Sequence, residues 1–279
     1  MGGQAPPFFY NKNITMAINV NTVYQTVLLI LNKEQRGYIT PTEFNSLATQ
    51  VQLEIFEQYF EDLNQQWRVP RNDSEFADRV QNIENKIALF KTYGDATYYD
   101  EDPSGSLANP YFYLPEDLHR LGAVIYKGEQ ELQATNRSEY LHLNMSQLTR
   151  PSTNYPLYIF EGTATPLDPV TSTVLCTNCD KLYVYPDEIK SKITVSYIRK
   201  PKDVVWAYSL GSLNQYLYTT NIGAGVTPST GSVNFEIDST EQTEVILRIL
   251  MYSGVVIRDP QIIQAAAAQV QAEEQNDKS

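Results

Sequence analysis

Apolar positions recur at helical spacing in the first third of the chain. Val20, Val23, Val27, Ile30 and Leu31 share one face over residues 19–32, and Asn19 or Asn21 stands where a cap belongs. Thr40-Pro41-Thr42-Glu43 is a strong helix start: Thr40 caps, Pro41 takes the first helical position, and Glu43 completes a capping box. Phe44, Leu47, Val51, Ile55, Tyr59, Leu63 and Trp67 continue that stripe until Pro70. A third helix is predicted from Asp73 or Ser74, with a seam of Phe76, Val80, Ile83, Ile87 and Phe90 at alternating spacings of four and three. Residues 92–115 carry Gly94, Pro103, Gly105 and Pro110 and read as a connector.

The pattern then changes from a helical to a two-residue period. Gly122–Tyr126, Leu157–Glu161, Lys181–Tyr185, Lys192–Ile198 and, more weakly, Ser232–Glu236 read as strands, and Lys127-Gly128-Glu129 as a hairpin turn. Residues 204–232, rich in Tyr, Thr, Gly and Asn, read as a long loop or an irregular hairpin, a feature that in a folded domain usually carries function. Helical spacing returns at the end. Asp238 or Ser239 caps a helix with Val245, Ile246, Ile249, Leu250 and Tyr252 inward and Gly254 at its end. Asp259-Pro260 then starts a last helix with Ile262, Ile263, Ala266, Ala267 and Val270 on one side. The predicted class is α+β: a helical bundle domain formed by N- and C-terminal helices, with a β-rich middle insertion. The expected boundaries are an extended arm at 1–15, helices and connector at 16–115, the β-rich module at 116–237, and returning helices at 238–279.

Composition narrows the function. The chain has 279 residues, 42% hydrophobic and 19% charged, with a net charge of −12. That sign argues against a surface built to grip nucleic acid, which needs clustered Lys and Arg. The longest aliphatic run, Val27–Leu31, is far too short for a membrane span, and the first residues lack the basic start and apolar core of a secretory signal. A protein made and folded in a cytoplasm, with no membrane partner, is expected.

Catalytic material is sparse. His119 and His142 are the only histidines, and no phosphate loop, GxSxG or HExxH is present. No enzyme and no cofactor are expected. Cys176-Thr-Asn-Cys179 has three readings: a turn between strands, half of a metal knuckle, or a redox pair. A structural zinc site would need two further ligands. The unusual feature is tyrosine, 20 of 279 residues, a side chain that suits interfaces. Tyr208, Tyr216 and Tyr218 in the long loop are candidate contact residues. Arg199 and Lys200, in the basic run Arg199-Lys200-Pro201-Lys202, and Ile262, Ile263, Ala266 and Val270 on the last helix are candidate interface residues.

Three stretches carry a resemblance: LNKEQRGYITPTEFNSLATQVQLEIFEQYF at 31–60, LYVYPDEIKSKITVSYIRKPKDVVWAY at 182–208 and ILRILMYSGVVIRDPQIIQAAAAQVQAEE at 246–274. They resemble the ring or adaptor proteins between portal and tail of short-tailed bacteriophages, notably the crAss-like phages. Residues 1–15 and 208–232 lie outside the resemblance. It implies a structural subunit of a virion head–tail connector, in a closed homo-oligomeric ring that is usually twelve-fold. Its partners would be the portal and other tail or ring proteins, and DNA would pass through the channel without specific binding. It would be assembled in the host cytoplasm and located in the virion neck. The alternative is another neck or tail protein, such as a tail hub or a carbohydrate-binding tail module.

Overall fold

The computed structural model describes residues 17–33, 38–68, 76–100, 110–167 and 173–256, with positions 264, 267–272 and 275 near the C-terminus. The fold is mixed α+β. The chain forms two compact units, one of residues 87–200 and one of residues 1–86 with 201–279.

The first unit to be considered is helical and begins with α1 (Val20–Lys33) and α2 (Pro41–Arg68). Asn19 caps α1, its side-chain oxygen accepting from the N–H groups of Asn21 (2.9 Å) and Thr22 (3.1 Å). The capping box of α2 forms in both directions: Thr40 N–H donates to Glu43 (2.9 Å) and Glu43 N–H donates to Thr40 Oγ1 (3.3 Å). Those bonds hold the Glu43 carboxyl below its ordinary pKa. α3 (Phe76–Ala88) follows. A 3₁₀ turn (Ser239–Glu241), capped by Asp238, leads into α5 (Gln242–Val256). α5 packs on both α1 and α2, and its Val245 and Ile249 are fully buried.

Two sequence expectations change here. Gly254 does not stop the helix: α5 runs through it to Val256, and Ser253 and Gly254 are buried as small residues inside a packed helix. The stripe of α2 also ends early, since Phe56 and Phe60 share its burial while Trp67 is exposed.

A polar row on α2 organises the rest of this unit. Asn45, Thr49 and Gln52 lie at i, i+4 and i+7, on one face. Facing them is extended chain at 202–206. Trp206 N–H donates to Asn45 Oδ1 (2.7 Å) and Asn45 Nδ2 donates to Trp206 O (3.4 Å). Val204 N–H donates to Thr49 Oγ1 (3.0 Å), whose hydroxyl sits 3.4 Å from Val204 O. Gln52 Nε2 donates to Lys202 O (2.7 Å), while its oxygen accepts from Glu236 N–H (2.8 Å). The stretch Ser232–Glu236, expected as a strand, is instead held by this row and by one bridge between Val205 and Val233.

The second unit is a barrel-like sheet. Its strands are β1 (Lys91–Tyr99), β2 (Tyr111–Tyr113), β3 (Leu118–Tyr126), β4 (Gln130–Glu131), β5 (Gln133–Ala134), β6 (Leu157–Ala164), β7 (Cys179–Tyr185) and β8 (Ile193–Arg199). β1 and β2 occupy the stretch expected to be a connector. The alternation Tyr93, Asp95, Thr97 against Thr92, Gly94, Ala96 is strand-like, and the glycine within it sits in a close approach rather than a turn. The spatial order is β4-β3-β8-β1-β2-β7-β6-β5. The two end strands are separated in sequence only by Leu132, whose N–H donates to Val124 O (2.8 Å). Both end strands therefore belong to one short segment, which makes the sheet barrel-like and covers part of the edges of β3 and β6.

Register shifts in the β3–β8 and β6–β7 pairs bend the strands toward closure. Gly122 lies at the first: a Cβ there would stand 2.8 Å from Ser196 O. Ile193, Val195 and Tyr197 of β8 point inward with Phe112, Val124 and Leu182. The predicted turn after β3 is present, with Lys127 and Gly128 both left-handed (φ 55° and 75°). An unpredicted short helix, α4 (Arg137–Asn144), is capped by Asn136. Its Tyr140 stacks on Tyr185 of β7 at 3.9 Å.

The polar row generates the first prediction. Gln52 is buried, and Gln52→Leu strands two backbone groups. Urea denaturation is expected to show a loss of about 2–6 kcal/mol, from roughly 1–3 kcal/mol for each of the two stranded groups and toward the lower end because both bonds are part-buried, with an unchanged m-value.

A second prediction concerns Glu244. It pairs with Arg248 one turn later, and Arg248 also reaches Gln58 and, at 3.9 Å, Glu54. Burial pushes the Glu244 carboxyl up to about 7, with Arg248 pulling the other way. A raised folded-state pKa means the folded chain holds the proton more tightly than the unfolded one. The stabilisation is complete at acid pH and is lost as pH rises through about 7. Glu244→Gln should flatten the decline in Tm between about pH 5 and 8 by roughly 2–4 °C, equivalent to about 1 kcal/mol. An identical slope in wild type and variant would refute the assignment.

Candidate interaction surfaces and the cysteine turn

Residues 204–232 resolve the two sequence readings in favour of a hairpin. β9 (Tyr208–Leu210) pairs antiparallel with β10 (Tyr216–Tyr218), so Tyr208 faces Tyr218 and Leu210 faces Tyr216. Asn214, in the connecting turn, is left-handed at φ 57°. The three candidate tyrosines are brought together at the root of this hairpin. The Tyr208 and Tyr216 rings meet edge-on at 4.6 Å, and Trp206 lies 6.0 Å from Tyr208 and 5.8 Å from Tyr218.

The aromatic contacts continue inward. Trp206 reaches Tyr24 at 4.4 Å, and Tyr24 reaches Phe44 at 4.7 Å in the helical core. Trp206 Nε1 donates to Asn21 (3.0 Å). Tyr208 and Tyr218 are half-buried and support the hairpin, while Tyr216 is more exposed. The exposed large side chains of this segment are Tyr216 together with Leu210, Leu213 (86% exposed), Leu217 and Ile222 (79%). The sequence reading singled out the tyrosines and missed the aliphatic residues. Their signal is three leucines and an isoleucine in a stretch otherwise made of turn formers.

Arg199 and Lys200 belong to the other unit and serve its packing. Arg199 N–H donates to Phe90 O (2.9 Å) with its guanidinium 5.9 Å from the Phe90 ring, and Lys200 N–H donates to Asp117 O (2.7 Å). That unit carries a second exposed apolar stretch, on α4 and the turns after it: Leu141, Met145, Leu148 (97% exposed) and Tyr155. Val270 is buried in a helical piece of the C-terminal segment. Ile262, Ile263 and Ala266 lie outside the described residues.

The cysteine turn precedes β7. Cys176 and Cys179 are joined as a disulfide, with Cα atoms 5.9 Å apart. Asn178 between them is left-handed at φ 54°, a conformation asparagine tolerates. Its N–H donates to Thr165 Oγ1 (3.3 Å), and Thr177 N–H donates to Glu116 Oε1 (3.2 Å). The pairing of β2 with β7, and the bond from Leu114 N–H to Asp180 O (3.1 Å), bring the Glu116 segment to this turn. Glu116 stands 60 residues before Cys176, and nothing in the motif's spacing announces it. His119 is half-buried on β3 and His142 exposed on α4; neither joins the cysteine turn among the described residues.

Among the described residues, no helix is long and apolar enough to cross a membrane. A scan against protein-family models finds no match to this chain, and a search of curated proteins likewise finds none.

Proposed function

We propose that this chain is a non-enzymatic structural subunit of a closed homo-oligomeric ring, of the kind that joins portal to tail in short-tailed bacteriophages. The observation that carries the reading is a pair of different exposed apolar surfaces on one chain. One is the leucine-tipped hairpin at 208–222; the other is α4 with the turns to Tyr155. A head-to-tail ring needs two unlike patches per subunit, each covered by its neighbour's other patch. Exposed large apolar side chains grouped within one short segment are the material of which interaction surfaces are made.

Three further features suit this role. The resemblance of residues 31–60, 182–208 and 246–274 to phage ring proteins supplies the setting. In this reading α1, α2, α5 and the C-terminal helical segment act as one bundle, a rigid frame for the hairpin. The net charge of −12 suits a channel wall along which DNA slides without sticking.

Native mass spectrometry tests the proposal. The purified chain, alone or with the cognate portal, should give a closed ring. Twelve copies of the 31.7 kDa chain come to about 380 kDa. The double variant Leu210→Ser, Leu213→Ser should shift the population to monomer while changing Tm by less than roughly 2 °C, since both side chains are already exposed. A wild-type chain that stays monomeric and ignores the portal would remove the proposal.

A further inference from the structure

Glu116, Cys176 and Cys179 form a candidate metal centre. One oxygen and two sulfurs, one from each residue, all lie within 4.8 Å of one another. Zn–S bonds of about 2.3 Å and Zn–O bonds of about 2.1 Å place tetrahedral ligands roughly 3.5–3.8 Å apart, so on reduction the two sulfurs, bonded to each other here, part to that spacing by side-chain rotation while Glu116 stays beside them.

The surroundings are those of a prepared site. Cys176 is 3% and Cys179 2% exposed, so the cysteines are largely screened from bulk solvent, while exposed Glu116 marks the side of the site open to water. Glu116 is exposed and already oriented by the Thr177 N–H of the cysteine turn itself. A backbone donor to a ligating carboxylate is the kind of outer contact that fixes ligand geometry. The turn is also tied at Asn178, whose N–H donates to Thr165 Oγ1.

We propose that in the reduced chain these three residues bind one thiophilic divalent cation, Zn²⁺ being the best match, with the fourth position left to water. Two thiolates and a carboxylate favour zinc over calcium or magnesium, which prefer all-oxygen sites. The disulfide and the metal site are alternative states of one pair. A phosphine reductant adds two electrons to the S–S bond; water supplies two protons to the sulfurs and the oxygen of the phosphine oxide. The cation then displaces both thiol protons. The ion would link the turn after β2 to the start of β7, independently of ring assembly.

The full chain, reduced with a phosphine and freed of excess reductant, is titrated with Co²⁺ as the spectroscopic probe. One equivalent should bind with sulfur-to-cobalt charge-transfer absorption, and Zn²⁺ should abolish that absorption by displacement. Cys176→Ser should lose most of it. Glu116→Gln should retain the sulfur bands and weaken binding about tenfold or more, comparable to losing any fixed partner of a metal site. Because a buried cysteine variant can fail to fold, the unmodified chain supplies a second readout: Zn²⁺ should slow alkylation of both thiols by N-ethylmaleimide. Absence of both the cobalt bands and the alkylation protection overturns the site. Unchanged affinity in Glu116→Gln overturns the carboxylate's place in it.

Discussion

Three side chains on one helix do the work of a missing strand. Extended chain at 202–206 offers backbone groups that in a sheet would meet a neighbour. Here they meet Asn45, Thr49 and Gln52 of α2. The fit is geometric. Seven residues of helix rise about 10 Å, and four residues of strand about 13 Å, so i, i+4, i+7 on the helix tracks every second residue of the strand. Amide side chains suit the role because each carries both a donor and an acceptor; Gln52 uses both, toward Lys202 and Glu236. Much of the helical unit hangs on this ladder. It fixes Trp206, Trp206 anchors Tyr208 and Tyr218, and those rings hold the hairpin whose tip carries the exposed leucines.

The local chemistry of helix starts was legible in the sequence. Thr40, Pro41 and Glu43 form the predicted capping box because its partners are three residues apart and need nothing else. The turn at Lys127-Gly128 was legible for the same reason. What escaped the sequence was set by distant partners. Polar Asn45 and Gln52 on a helix look like solvated positions until the extended chain that covers them is known. Gly254 reads as a helix end, yet burial makes its small size useful inside α5. Thr92 to Tyr99 reads as a connector because Gly94 interrupts it, whereas that glycine sits against Tyr197 and Pro115.

The candidate sites divide along the same line. The tyrosines of the long loop were visible as residue types, and they do cluster, Tyr208 and Tyr218 half-buried beside Trp206 and Tyr216 exposed. Composition marks aromatic residues as interface material; only the fold shows that rings stacked against Trp206 are supporting it. The cysteine motif was visible by spacing and left three readings open. Its third potential ligand came from a strand pairing between β2 and β7, invisible to any motif.

Closing the sheet explains why chemistry collects at that turn. The segment Gln130–Ala134 pairs with one end of β3 and one end of β6, which joins the two sides of the sheet. The loop from β2 to β3 and the loop entering β7 are neighbours because β2 and β7 are paired. Any residue type placed on one is presented to the other with the register of the sheet behind it. Glu116 and the two cysteines therefore meet on a rigid frame, which is what a metal site requires of its ligands and what an incidental turn does not need. The hairpin of β9 and β10 is held differently: by its aromatic root and by bonds at its base, Tyr208 with Thr227 and Thr219 with Ala207 and Ser232. The hairpin's register is set locally, between β9 and β10, whereas that of the cysteine turn is set by the pairing of β2 with β7.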